Sequence, residues 1–234
     1  MEKEGIKHHK LKESYQKAIF SAFSTILIIF FISKKEYAWS FQWSEWEIPK
    51  LWDLDVPTTE ETFIYMLQIG WYIFQTYKHL KVDSVYQKSD HNVLFVHHIV
   101  TVLLLTGSYY VGYHRIGLLV LSVHEPCDIF LEGAKIANYR KNTLLSVLAF
   151  INLVILWVVL RLYIFSKLIS NCYWHHLVNP NNALAIFTFL LCIVFCMNLY
   201  WLGLIGKIVC NVFKNGLSHA VDIREEGEGK KKQQ

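Results

Sequence analysis

Six stretches of this chain are apolar and long enough to cross a lipid bilayer: residues 17–33, 61–79, 92–111, 115–137, 143–165 and 183–206. A crossing needs about 20 such residues. Inside hydrocarbon no water can satisfy a backbone N–H or C=O, so each segment must bond its own backbone as a helix or close into a barrel of strands. Apolar runs of this length select the helix, and the residues that interrupt them, Gln68, His97, Asp128, Asn152 and Asn198, are tolerable where they face other helices rather than lipid. The chain is therefore expected to be an all-α membrane protein with six transmembrane helices. Its composition agrees: of 234 residues, 53% are hydrophobic and only 18% charged, too apolar a balance for an ordinary soluble domain. The third and fourth runs are joined by a few residues around Gly112, which predicts antiparallel neighbours.

The division expected is an amino tail over 1–16, a membrane domain over 17–214 and a carboxyl tail over 215–234. Lys and Arg set the orientation. With six spans, the tails and the loops at 80–91 and 138–142 share one side, and that side carries most of the Lys. An excess of Lys and Arg marks the cytosolic face, so both termini are expected there. The opposite side has Lys34, Lys35, Lys50, Arg115 and Lys167, with Arg161 near the end of its span. The basic amino terminus has no small-residue cleavage site after it, so the first span is read as retained. His8 and His9 are expected to be solvated. The chain ends Lys231-Lys232-Gln233-Gln234, a pattern like a dilysine retrieval signal of the endoplasmic reticulum. Trp39, Trp43, Trp46 and Trp52 suggest an interfacial aromatic belt between the first two spans. Cys192 and Cys196, four apart, share a helix face and are expected in the core. Nothing in the charge pattern suggests nucleic acid.

One stretch stands apart, from His97 to Tyr139. It is apolar overall yet holds His97, His98, Arg115, His124, Glu125, Asp128, Glu132 and Lys135. An Asp, Lys or Arg at mid-membrane costs at least roughly 2.5–3.5 kcal/mol, so several together imply a polar site with a function. On a helix of 3.6 residues per turn, His97, Thr101 and Ser108 share a face, and His98 is turned away by about 100°. The two adjacent imidazoles therefore have separate tasks. In the next span His124, Asp128, Glu132 and Lys135 form one stripe. Glu132 and Lys135 are spaced to pair with each other. Pro126 within that span removes a backbone donor and predicts a kink. At 1.5 Å per residue, His97 lies roughly 7 Å and Asp128 roughly 14 Å from the cytosolic face, so the groups can meet in the cytosolic half.

A neutral imidazole beside a carboxylate is a base or a nucleophile. A carboxylate stripe also attracts a cationic amine. Iron held by histidine boxes is the rival chemistry, but His91, His97 and His98 do not have that spacing, and His175-His176 is expected in the loop at 166–182.

The stretch resembles the Lag1 motif of ceramide synthases in the TLC (TRAM–LAG1–CLN8) superfamily. The similarity rests on His97-His98, Thr101, Ser108-Tyr109, Arg115, Gly117, His124, Asp128, Leu131-Glu132, Lys135, Asn138 and Tyr139. A weaker likeness extends over about 15–215. Two positions depart from the motif: Glu125 replaces the usual Asp, and Gly112 the usual Asn. The resemblance implies a six-helix TLC-type barrel, without the additional first span of many members, and the dilysine-like end leads us to expect it in the endoplasmic reticulum membrane. It implies acyl transfer from acyl-CoA, as co-substrate, to the amine of a sphingoid base, with no permanently bound cofactor and no metal. His97, His98, His124 and Asp128 would be catalytic, and Glu125, Ser108, Thr101, Arg115, Glu132 and Lys135 would contact substrate. Membrane lipids surround the chain, and a homo- or hetero-dimer is allowed. The other expectation is a non-enzymatic superfamily member that senses lipid or escorts cargo. Such members tend to lack the full His and Asp set present here.

Overall fold

A computed structural model describes residues 2–35, 51–52, 54–83 and 90–215. Trp39, Trp43, Trp46 and the carboxyl-terminal lysines lie outside the described residues. Within them the regular structure is helical: α1 (Glu2–Ile32), α2 (Thr59–Lys78) with a wider π turn at His79–Asp83, α3 (His91–Val111) and α4 (His114–Tyr139). They are followed by α5 (Thr143–Leu156), a π-helical stretch (Trp157–Ile164), α6 (Phe165–Val178) and α7 (Asn182–Asn215). Among the described residues, four helical stretches are long and apolar enough to cross a membrane: His8–Phe31, His91–Val111, Thr143–Val178 and Asn182–Val212. The helices at 59–78 and 114–139 carry more polar side chains and fall short of that measure.

Local chemistry explains the helix ends. The Thr58 side chain accepts from the Glu61 N–H, and the Glu61 carboxylate accepts from the Thr58 N–H, a reciprocal cap for α2. Backbone and Thr58 hydrogen bonds hold the exposed Glu60 carboxyl below its ordinary value. Gly112 closes α3 in the left-handed region at φ 92°, which a side chain would oppose. The amino tail continues α1 as helix from Glu2, and His8 and His9 are exposed on it.

The packing of α1 is inverted relative to a surface helix of a soluble protein. Along α1, Ser14, Ser21, Ser24 and Thr25 turn inward, and Ile19, Phe23, Ile26 and Phe30 turn outward. Polar groups inside and apolar groups outside suit a lipid solvent. α1 lies along α4, α4 against α5, α2 on α3, α3 on α7 and α7 on α6. α4 thus stands between α1 on one side and the α5–α6 column on the other.

Several expectations are corrected. The anticipated loop at 166–182 is helix as far as Val178, so His175 and His176 ride the last turn of α6, and only Asn179–Asn181 turn. Trp52 stacks on His175 with centroids 4.0 Å apart. Cys192 and Cys196 are exposed, because the inward face of α7 is set by Leu184, Thr188, Leu191, Val194, Asn198 and Trp201. A helix apolar all round gives periodicity no face to choose. Arg161, counted near the far end of its span, is 5% exposed and turns into the protein.

Candidate active site

α2, α3, α4, α6 and α7 enclose a cavity of about 60 Å³. Its polar end carries Tyr72 of α2, His97 and Thr101 of α3 and His124 of α4. From there it runs between apolar walls to Ser108, Tyr113, Cys172 and Leu184 at the α3–α4 turn. The eleven residue steps from His97 to Ser108 span roughly 16 Å of helix. At the far end Asn181 Nδ2 donates to the Tyr113 hydroxyl at 3.0 Å.

The close approach of α2 to the α3–α4 pair depends on Gly117. A Cβ there would overlap the Tyr65 hydroxyl and sit 3.1 Å from Ser108 Oγ. The Tyr65 hydroxyl donates to the His114 carbonyl at 2.8 Å and pairs with Ser108 Oγ at 3.1 Å. Ser108 is therefore held by Tyr65 at the margin of the cavity.

His124 is fixed on both nitrogens. Nδ1 is 2.8 Å from the Val120 carbonyl, which can only accept, so Nδ1 carries the proton. Nε2 then accepts from Asn198 Nδ2 at 3.2 Å. His97 differs: it lines the same cavity, its ring meets Trp201 edge-on at 5.3 Å, and its Nδ1 is buried without a hydrogen-bond partner among the described residues. Trp201 is anchored by Nε1 donating to Asp90 at 3.1 Å. His98 turns the other way, toward His79, with centroids 5.8 Å apart. His79 stacks on His91 at 4.0 Å. The 100° step between neighbours thus sends one imidazole into the cavity and the other toward α2.

Asp128 meets Arg161, which the sequence places only near the end of its span. Arg161 Nη2 donates to Asp128 Oδ1 at 2.6 Å and to the His124 carbonyl at 2.9 Å. The guanidinium lies 4.3 Å above the Trp157 ring, whose Nε1 donates to the Asn198 carbonyl at 3.3 Å. The π stretch makes this possible. In an α-helix a step of four residues drifts by about 40°. A wider turn keeps Leu153, Trp157, Arg161 and Phe165, each four apart, on the inward face. The available signal was a lone cation in an otherwise apolar run, with an aspartate in the preceding span.

Of the other residues singled out, Glu132 bonds Lys135 at 2.7 Å, as their spacing predicts. Arg115 bonds Asp55 at 2.6 Å on the exposed rim. Glu125 faces α1 and α2. None of these four lines the cavity, nor do His98 and Asp128.

A family profile described as the TLC domain (TRAM, LAG1, CLN8) matches residues 10–207. The chain belongs to the TLC-domain family. Among its relatives are ASC1-like protein 3 of Oryza sativa subsp. japonica, 27% identical over 76% of this chain and 64% of that protein. Ceramide synthase LOH2 of Arabidopsis thaliana is 27% identical over 70% of this chain and 57% of that protein. Ceramide synthase 1 of Homo sapiens is 29% identical over 69% of this chain and 49% of that protein. The chain spans about half to two thirds of the length of these three TLC-domain relatives.

Proposed function

We propose that this TLC-domain chain is a sphingoid base N-acyltransferase, which joins the acyl group of acyl-CoA to a sphingoid amine and releases CoA. The observation that carries the reading is a cavity with imidazoles at one end and apolar walls along its length. An acyl chain suits the walls, and its reacting carbonyl then lies beside His97. The relatives named ceramide synthase support the same chemistry.

In this reading His97, with Nδ1 unclaimed, attacks the thioester carbonyl. The C–N bond to imidazole forms as the C–S bond breaks, and CoA leaves as thiolate. The amine nitrogen then attacks the acyl carbon, the imidazole departs, and the proton lost by the amine is passed on to the thiolate. His124, held neutral between Val120 and Asn198, shapes the cavity beside the reacting carbon. Asp128 acts through Arg161, which ties the His124 turn to the π stretch.

The proposal includes six spans arranged as a TLC-type barrel in the endoplasmic reticulum membrane, with both termini cytosolic. The helices at 59–78 and 114–139 would cross because their polar faces turn toward the other helices. The test is expression in membranes lacking this activity, supplied with sphingoid base and acyl-CoA. Wild type forms the amide, and His97→Ala and Asp128→Ala do not. Equal product from the variants refutes the mechanism. No product from wild type returns the chain to the non-enzymatic, lipid-binding class.

A further inference from the structure

Behind the cavity, a second set of polar side chains gathers where α1, α2 and α4 meet. Glu125 of α4 faces the Ser21 hydroxyl of α1 and the side-chain amide of Gln68 in α2. Gln68 Nε2 in turn donates to Ser24 Oγ. Thr25 follows on the same buried side of α1. These groups are deeply buried, Gln68 at 0%, Ser24 at 1% and Glu125 at 2% exposure. Phe20 and Trp71 stack 3.9 Å apart along the same α1–α2 seam.

The cluster is not satisfied from within. Thr25 Oγ1, Gln68 Oε1 and Glu125 Oε2 are buried without a hydrogen-bond partner among the described residues. Buried polar atoms in native proteins are almost always paired, so each exception needs a reason. Arg161 is in electrostatic range of Glu125, but its Nη2 bonds go to Asp128 and the His124 carbonyl. All three unpaired atoms can accept, and one belongs to a carboxylate. The complement is a group that donates several hydrogen bonds and carries positive charge.

The cluster also adjoins the reaction cavity. His124 faces the cavity and Glu125, the next residue, faces the cluster. On α2, Tyr72 lines the cavity and Gln68, one turn earlier, belongs to the cluster. Glu125 acts electrostatically on Tyr72, so the two sites meet at that ring.

We propose that this cluster is the subsite for the ammonium and hydroxyl groups of the amine substrate, a long-chain 2-amino-1,3-diol, reached from the bilayer along the α1–α2 seam. This rests on the N-acyltransferase reading. The ammonium donates to Glu125 Oε2 and Gln68 Oε1, and a hydroxyl donates to Thr25 Oγ1. Glu125 takes the proton that the ammonium must lose before its nitrogen lone pair can attack. The second N–H proton goes to the CoA thiolate released in the first step, which becomes the thiol, as the imidazole of His97 leaves the acyl carbon. The hydrocarbon tail of the substrate stays against the outward apolar faces of α1 and α2.

The test uses the full chain in membranes and two variants, Gln68→Leu and the pair Ser21→Ala with Ser24→Ala. KM is measured separately for the aminodiol and for acyl-CoA, and for a long-chain 2-amine lacking the 1-hydroxyl. The expected result is at least a tenfold rise in KM for the aminodiol, KM for acyl-CoA within twofold of wild type, and a smaller preference for the diol over the deoxy amine. A purely structural role would move both KM values together, and that result, or an unchanged aminodiol KM, overturns the proposal. If Gln68→Leu does not fold, the serine pair gives the same readout with smaller side chains. Binding of a radiolabelled aminodiol to purified protein separates the two levels. At least tenfold weaker binding in the variants, with no amide made by wild type, refutes the acyltransferase and keeps the subsite. Amide formation with equal aminodiol binding in wild type and variants refutes the subsite and keeps the acyltransferase.

Discussion

Alanine at Gly117 and at Gly133 should have opposite effects, although both glycines lie inside α4. Replacing an interior helical glycine by alanine is worth about 1 kcal/mol of backbone stabilisation. Beyond its own stretch of helix, Gly133 has no heavy atom of the described residues within 4 Å of an added Cβ, so it should keep that gain. At Gly117 the Cβ overlaps the Tyr65 hydroxyl and lies 3.0 Å from Cζ of the same ring. Tyr65 is fully buried, so it must shift against its neighbours. Overpacking of this kind costs about 1–3 kcal/mol. The shift also breaks the 2.8 Å bond to the His114 carbonyl, and a buried polar group left unpaired costs about 1–3 kcal/mol more. Set against the backbone gain, the net loss is about 3 kcal/mol, or about 6–12 °C in melting temperature for a chain of this size. Melting of the detergent-solubilised variants by intrinsic fluorescence measures both. Gly133→Ala should rise by about 2–4 °C. Adding Tyr65→Phe to Gly117→Ala should recover part of the loss, with a coupling of at least about 1 kcal/mol. A Gly117→Ala protein that melts at or above wild type would refute the close packing of α2 against α4.

Arg161→Leu should destabilise by about 3 kcal/mol, the low end for a broken buried ion pair because the Asp128 side chain is 30% exposed, and Arg161→Lys should not restore it. Adding Asp128→Asn to Arg161→Leu should recover much of that loss in the same melting assay, and no recovery would mean that the pair is not the cause. Gly112→Ala forces a side chain into the left-handed region and should cost about 1–2 kcal/mol, read as a lower melting temperature. A lipid-soluble thiol reagent should label Cys192 and Cys196 in the folded protein and spare Cys172 until it unfolds. Early modification of Cys172, followed by mass spectrometry, would contradict its place in the cavity wall.

The sequence made part of the site legible. The rotation between His97 and His98 separated their directions. The four-residue spacing placed Thr101 with His97, and the i, i+3 spacing paired Glu132 with Lys135. These are local relations, and helical geometry alone decides them. Asp128 shows the limit. Its stripe was visible, but the partner it meets is 33 residues on, in a run where a single cation reads equally well as a span end. Gln68, Asn152 and Asn198 all look like polar interruptions of apolar runs. Gln68 and Asn198 became buried, and Asn152 bonds the Leu148 carbonyl of its own helix at 2.8 Å on the outside.

By itself the sequence determined that the chain is helical, because long apolar runs must bond their own backbones, and that ionisable groups concentrate between His97 and Tyr139. The tertiary structure decided which of those groups share a space. His124 joins His97 because α3 and α4 pack around one cavity, whereas Glu125, one residue further along, is turned toward Ser21 and Gln68. The difference is physical: a helix fixes the angle between neighbouring side chains, but only the packing of separate helices fixes what each one faces.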